Sequence, residues 1–176
     1  ILLKAFNFLN KMIDCGKIRY LGISSWNGFL DNNKLDLNKI LSISKSALNS
    51  DSLKFLQVPY NLVMLDHLTK QTQNDLDKKM DCSLMYLATK NNMDVITNAP
   101  LFHGRLVNVD YPKRLKTMIK KSKNNADLAL RFSISNPGSN SILVGVTNEL
   151  HLNEIISIMN EDPIPQNMYS QILTAD

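Results

Sequence analysis

Four short stretches carry residue types that could do chemistry: Ser24-Ser25-Trp26, Gln57-Val58-Pro59-Tyr60-Asn61, Asn98-Ala99-Pro100-Leu101 and Gly145-Val146-Thr147. Each follows an apolar run, so each falls where a strand would end. The last is the most explicit. Ile142-Leu143-Val144 is a continuous apolar run, which predicts a strand buried on both faces. Gly145 and Val146 then turn the chain, Thr147 or Asn148 can cap a helix, and Glu149 lies in its first turn. A strand feeding a helix this tightly gathers free backbone N–H groups and the positive end of the helix dipole at one spot. That is phosphate-binding chemistry. An ordinary strand-loop-helix connection with no ligand gives the same pattern.

Other chemistries find little support. His67, His103 and His151 are too far apart in sequence to form a metal motif. Cys15 and Cys82 are too few for a disulfide framework, and neither lies in CxxC spacing. The net charge of +4 could suggest nucleic acid, but the densest basic run, Lys113 to Lys123, lacks interleaved aromatics and reads as a solvated helix face. No apolar run approaches the roughly 18 residues of a membrane span and none reads as a signal peptide, so a cytoplasmic protein is expected. With 176 residues, 44% apolar and 20% charged, the chain can build one globular domain. It begins at Ile1, directly inside an amphipathic helix, and is expected to be a fragment.

The elements that must hold the four stretches alternate between helix and strand. A helix to about Asp14 shows the stripe Leu2, Phe6, Leu9 and Ile13, with Gly16 as its C-cap. A strand over 17–24 follows, then a helix over 37–48 and a strand over 54–59. A helix over 74–89 is predicted from Leu76, Met80, Leu84 and Leu87, and a strand over 94–97. Beyond a loop with Pro100 and Gly104 come a basic segment and a helix over 126–135 that Pro137-Gly138 ends. The last strand starts at Ile142, and the last helix has Leu152, Ile155, Ile156 and Met159 on its apolar face. A polar tail from about residue 161 carries a short helix after Pro165. Asn pairs at 32–33, 91–92 and 124–125 mark loops.

This alternation predicts an α/β fold with a parallel sheet and right-handed crossovers. A doubly wound sheet and a (β/α) barrel fit it equally. Four strands are too few for a complete eight-stranded barrel, which takes roughly 250 residues. Ligands in both folds sit at the C-terminal strand ends, where the four stretches lie.

At these strand ends the chain resembles the aldo-keto reductase family. GKIRYLGISSW is similar to the family's "GKIRyiGvSnw" segment, and QVPYN to its next strand end. DVITNAPLFHGRL is similar to the "via.sPLg.GlL" loop, and ALRFSISNPGSNSILVGVTNELHLNE to the last helix-strand-helix unit. The four agree in order and spacing from Ile1 to about Met159. Within the family the ITNAPL loop and the LVGVTN strand are most similar to L-galactose and D-threo-aldose dehydrogenases.

The resemblance implies a partial (β/α)8 TIM barrel, strands five to eight with their helices, forming residues 1–176 as one domain. It implies an NAD(P)-dependent oxidoreductase, using NADP or NAD, that acts on a carbonyl, aldose or sugar-type small molecule. The family's catalytic Asp, Tyr, Lys and His lie on the first half of the barrel, which would be the missing partner of this chain. Tyr20, Tyr60 and the three His do not fill those roles. Carried over position by position, Ser24 matches a Ser on the nicotinamide carboxamide, and Ser25 stands where Asn is usual. Gln57 matches a Gln on the same carboxamide, with the donor and acceptor it needs. Asn98 falls where many members stack an aromatic. Pro100, Leu101 and His103 match the pyrophosphate-side loop, and Gly145, Val146 and Thr147 the adenosine phosphate. His151 replaces the Arg that meets a 2′-phosphate and lacks its permanent charge. Glu154 matches a Glu on the adenosine side, and Ile155 replaces an adenine-bonding Asn and is read as a packing residue beside Leu152 and Met159. The segment 107–125 is shorter than in relatives. A non-catalytic binding or regulatory relative, or a structural half-barrel, is the alternative.

Overall fold

The computed structural model describes residues 1–30, 35–48, 51–119 and 122–174; the Asn pair at 32–33 lies outside them. Helix α1, Leu2–Asp14, buries Phe6 and leaves Cys15 as its cap. Gly16 follows in the left-handed region at φ +69°. Its N–H donates to Ile13 O at 2.8 Å and that of Lys17 to Met12 O at 2.9 Å, the paired bonds that close a helix C-terminus through glycine. Because the cap uses Lys17 and Ile18, strand β1 is shorter than predicted, Leu21–Ser24.

β1 runs parallel to β2, Leu53–Pro59, with Gly22 beside Phe55, Ile23 beside Leu56 and Ser24 beside Gln57. Between them lies α2, Leu37–Ala47, capped by Asp36, whose carboxylate accepts from Lys39 N at 3.2 Å.

The predicted helix over 74–89 is not there. After α3, Asp66–Thr69, the chain forms a hairpin of β3, Gln73–Asp75, and β4, Met80–Cys82. Only Leu84–Lys90 is helical, as α4, with Ser83 as its cap. The buried Asp75 carboxylate accounts for this. It accepts from Asp77 N at 3.1 Å, Lys78 N at 3.2 Å and Tyr86 Oη at 3.1 Å, and pairs with Lys90 Nζ. Side-chain bonds to nearby backbone N–H groups compete with helix, and Lys79 closes the turn at φ +53°. Leu76 and Met80, read as inner-face residues, are 65% and 44% exposed.

Strand β5, Asp94–Asn98, buries Val95 and Thr97. Beyond it come a 3-10 helix, Arg105–Asn108, α5, Lys113–Met118, and α6, Asn125–Ile134, then β6, Ser141–Ile142, α7, Glu149–Met159, and α8, Gln166–Leu173. Among the described residues, the strands of the main sheet are ordered β1-β2-β5-β6. The chain divides into two compact units, Ile1–Val58 with Asp66–Ile96, and Pro59–Leu65 with Thr97–Asp176.

In the second unit Leu130, Ile155 and Ile158 form a buried cluster against Leu101, Ile134 and Val144. Ile155 packs as expected, but its partner on α7 is Ile158; Leu152, Ile156 and Met159 are exposed. The strand before α7 is not buried on both faces either. Val144 faces the cluster while Leu143 is 49% exposed, its N–H donating to Thr97 O at 2.7 Å.

Candidate functional site

In the first unit the fold brings Ser24 and Gln57 together as register partners at the ends of β1 and β2. Paired residues of parallel strands present their side chains on the same face. Ser24 is exposed and Gln57 half-buried. Among the described residues, neither the Ser24 hydroxyl nor the Gln57 amide has an intramolecular hydrogen bond, so a hydroxyl and an amide with both donor and acceptor stand side by side. Ser25 differs. Its N–H donates to Gln57 O at 3.1 Å, and its Oγ accepts from Gly28 N at 2.9 Å. A Cβ on Gly28 would lie 2.6 Å from that Oγ and 2.9 Å from Leu35 Cδ1, so this turn needs glycine. Ser25 holds the loop together.

In the second unit Asn98 ends β5, and its carbonyl accepts from Tyr60 N at 3.1 Å. Its Oδ1 is buried with no partner, an acceptor without a donor. Ala99, Phe102 and His103 all take positive φ, +55°, +46° and +55°. Three non-glycine residues in that region within five positions make a tight, strained loop. Asn61, part of the QVPYN strand end but given no role there, secures it: Nδ2 donates to Ala99 O at 2.9 Å while Oδ1 accepts from Val63 N at 3.0 Å. The signal was its position in QVPYN, two residues after the strand. Pro100 is buried, Leu101 packs on the cluster beneath, and His103 is exposed.

Gly145, Val146 and Thr147 are exposed ahead of α7. Asn148, not Thr147, caps the helix, its Oδ1 accepting from His151 N at 2.8 Å. The His151 ring and the Glu154 carboxylate are exposed on the first turns of this helix. The N-terminus of α7 is thus exposed, with Asn148 holding one of its N–H groups.

Tyr60, just after β2, and Tyr169, on α8, spend their hydroxyls on each other. Tyr60 Oη lies 2.7 Å from Tyr169 Oη, both rings stack on Phe132, and burial holds both phenols far above their ordinary range. A cavity of about 260 Å³ lined by Met118, Ile134, Ile158 and Met168 contains none of the strand-end residues. Among the described residues, no three His, Cys, Asp or Glu are placed to hold a metal, and no helix is long and apolar enough to cross a membrane.

The profile of the aldo/keto reductase family matches residues 2–176. No curated protein matches. Solved structures do. A thermostable aldo-keto reductase in complex with the inhibitor epalrestat is similar at a TM-score of 0.65 and 15% identity, over 98% of this chain and 54% of that one. An aldo-keto reductase from Klebsiella pneumoniae in complex with NADPH gives 0.65 and 18%, over 97% and 52%. The holo form of an aldo-keto reductase from Bacillus halodurans gives 0.62 and 16%, over 97% and 54%. At these identities the likeness is one of fold, and the chain spans about half the length of the structures it matches.

Proposed function

This chain belongs to the aldo/keto reductase family, and from that premise we propose that it supplies strands five to eight of a (β/α)8 barrel in an NAD(P)-dependent oxidoreductase. Residues 1–176 form the C-terminal half of that barrel as one domain. The whole enzyme acts on a carbonyl, aldose or sugar-type substrate. The observation that carries the reading is the Ser24–Gln57 pair, adjacent in register at two strand ends with both polar side chains unspent.

The residues present fit the cofactor. Ser24 and Gln57 complement a carboxamide, which needs an acceptor and a donor of its own. Asn98 offers a buried, unpartnered Oδ1 in its neighbourhood of the chain. Pro100, Leu101 and His103 line the pyrophosphate side. Gly145, Val146 and Thr147 offer backbone N–H groups ahead of α7, with His151 and Glu154 toward the adenosine. Ser24 and Gln57 would hold the nicotinamide carboxamide, and the bound cofactor would supply hydride chemistry at its ring. This chain's side chains bind and orient; the proton donor belongs to the other half of the barrel. His151 in place of a permanent cation weakens preference for a 2′-phosphate, and Asn98 in place of an aromatic is in keeping with the sugar-dehydrogenase branch.

A binding or regulatory relative without turnover is the second reading. It is favoured by Ser25, whose hydroxyl serves Gly28, and by Ile155, which lies in the core. It predicts cofactor binding without hydride transfer.

The test is Gln57→Ala in the intact protein. Loss of its hydrogen bonds to the cofactor is expected to raise the nicotinamide-nucleotide Kd by about 1–2 kcal/mol of binding free energy. An unchanged Kd means that Gln57 only seals the strand end.

A further inference from the structure

The loop that leaves β1 is held by two buried side chains from the segment after β2. His67, on α3, is 1% exposed, and its Nε2 lies 3.0 Å from the carbonyl oxygen of Trp26. A carbonyl only accepts, so Nε2 carries the proton and Nδ1 is left bare. That Nδ1 is buried with no partner. Gln73, also buried, spends most of its amide on the same loop and its exit. Oε1 accepts from Leu37 N at 2.9 Å, and Nε2 donates to Leu35 O at 3.2 Å and Thr72 O at 3.0 Å, with Phe29 O at 3.5 Å.

A leucine would fill the His67 site without burying a bare nitrogen. The imidazole is worth its cost for the bond it makes to the loop. The anchored carbonyl belongs to the residue after Ser24-Ser25, and the Ser25–Gly28 bond closes the turn between the anchors at Trp26 and Phe29.

We propose that His67 and Gln73 are positioning residues, which fix from behind the loop that presents Ser24 to the nicotinamide end of the cofactor. This rests on the cofactor reading above. Neither side chain need touch the cofactor, and both act through the backbone. Burial lowers the pKa of His67, which keeps the neutral Nε2–H form in place.

The experiment compares the intact protein with His67→Leu, which removes the bond, and His67→Gln, whose amide can replace the Nε2–H donor. Two quantities are read: hydrogen exchange of the amides of residues 25–30, and the Kd of NADPH against that of ADP-ribose, which lacks the nicotinamide. His67→Leu is expected to speed exchange in this loop and to weaken NADPH about tenfold, the equivalent of one buried hydrogen bond. ADP-ribose should bind as before, and His67→Gln should recover both readouts. If His67→Leu does not fold, Gln73→Met removes the other anchor and should give the same split. Equal loss for both nucleotides, unchanged loop exchange, or no recovery in His67→Gln would overturn the proposal. If the wild-type protein binds neither nucleotide, the cofactor reading fails and the proposal with it. If it binds both and His67→Leu does too, only the positioning role fails.

Discussion

Ser24 and Ser25 are adjacent and chemically identical, yet the fold uses them differently. Ser25 gives its oxygen to Gly28 N, whereas Ser24 keeps its hydroxyl beside the Gln57 amide. The two substitutions should therefore separate stability from binding. Ser25→Ala is expected to cost about 1 kcal/mol in chemical denaturation, with little change in cofactor Kd. Ser24→Ala should leave stability within about 0.5 kcal/mol and weaken the cofactor by about 1 kcal/mol. The reverse pattern would exchange their roles. This distinction was not legible in the sequence, where Ser25 stood out only as a replacement for Asn. The partner that claims its oxygen is three residues away and depends on a glycine turn. His67 was illegible for a similar reason: its partner is 41 residues away. Asn98, by contrast, was marked by its place at a strand end.

Among the elements, α1, α2, β2, β5, α6 and α7 lie within a residue or two of their predicted bounds, because the helices show a clear period with a capping residue at one end and the strands are short apolar runs. The segment 74–89 failed where one buried carboxylate overrode an apolar spacing. Leu76 and Met80 fell at helical intervals by chance, and Asp75 organised a turn instead. That carboxylate has a measurable consequence. Hydrogen bonding to Lys90 first, then to backbone N–H groups and Tyr86, lowers the Asp75 pKa from 3.8 to about 2. A depressed folded-state pKa stabilises above the unfolded value and loses that contribution as pH falls through the folded one. Thermal stability is expected to drop between about pH 4 and about pH 2, with Asp75→Asn less stable at neutral pH and flatter across that window. A parallel fall in wild type and variant would locate the acid sensitivity elsewhere.

For the molecule as a whole, the second unit is closed by Arg131. Its guanidinium pairs with Asp127 within α6 and meets both oxygens of Glu161 at 2.9 Å, tying α6 to the chain after α7. Replacing it leaves two carboxylates facing each other in a largely buried place. Arg131→Met is expected to lower stability by about 3 kcal/mol in denaturant unfolding; a loss below about 0.5 kcal/mol would mean that the network is not structural. At this scale the parallel α/β alternation and the family were readable from four strand ends in register. The division into two compact units was not, since it rests on long-range packing that no local pattern encodes. The central claim is that these strand ends bind a nicotinamide nucleotide, and titration of NADPH and NADH into the intact protein, followed by nicotinamide fluorescence, tests it most directly. Saturable binding of at least one, with a Kd below about 1 mM as for working enzymes, is the expected result. No saturable change for either nucleotide at that concentration would contradict it.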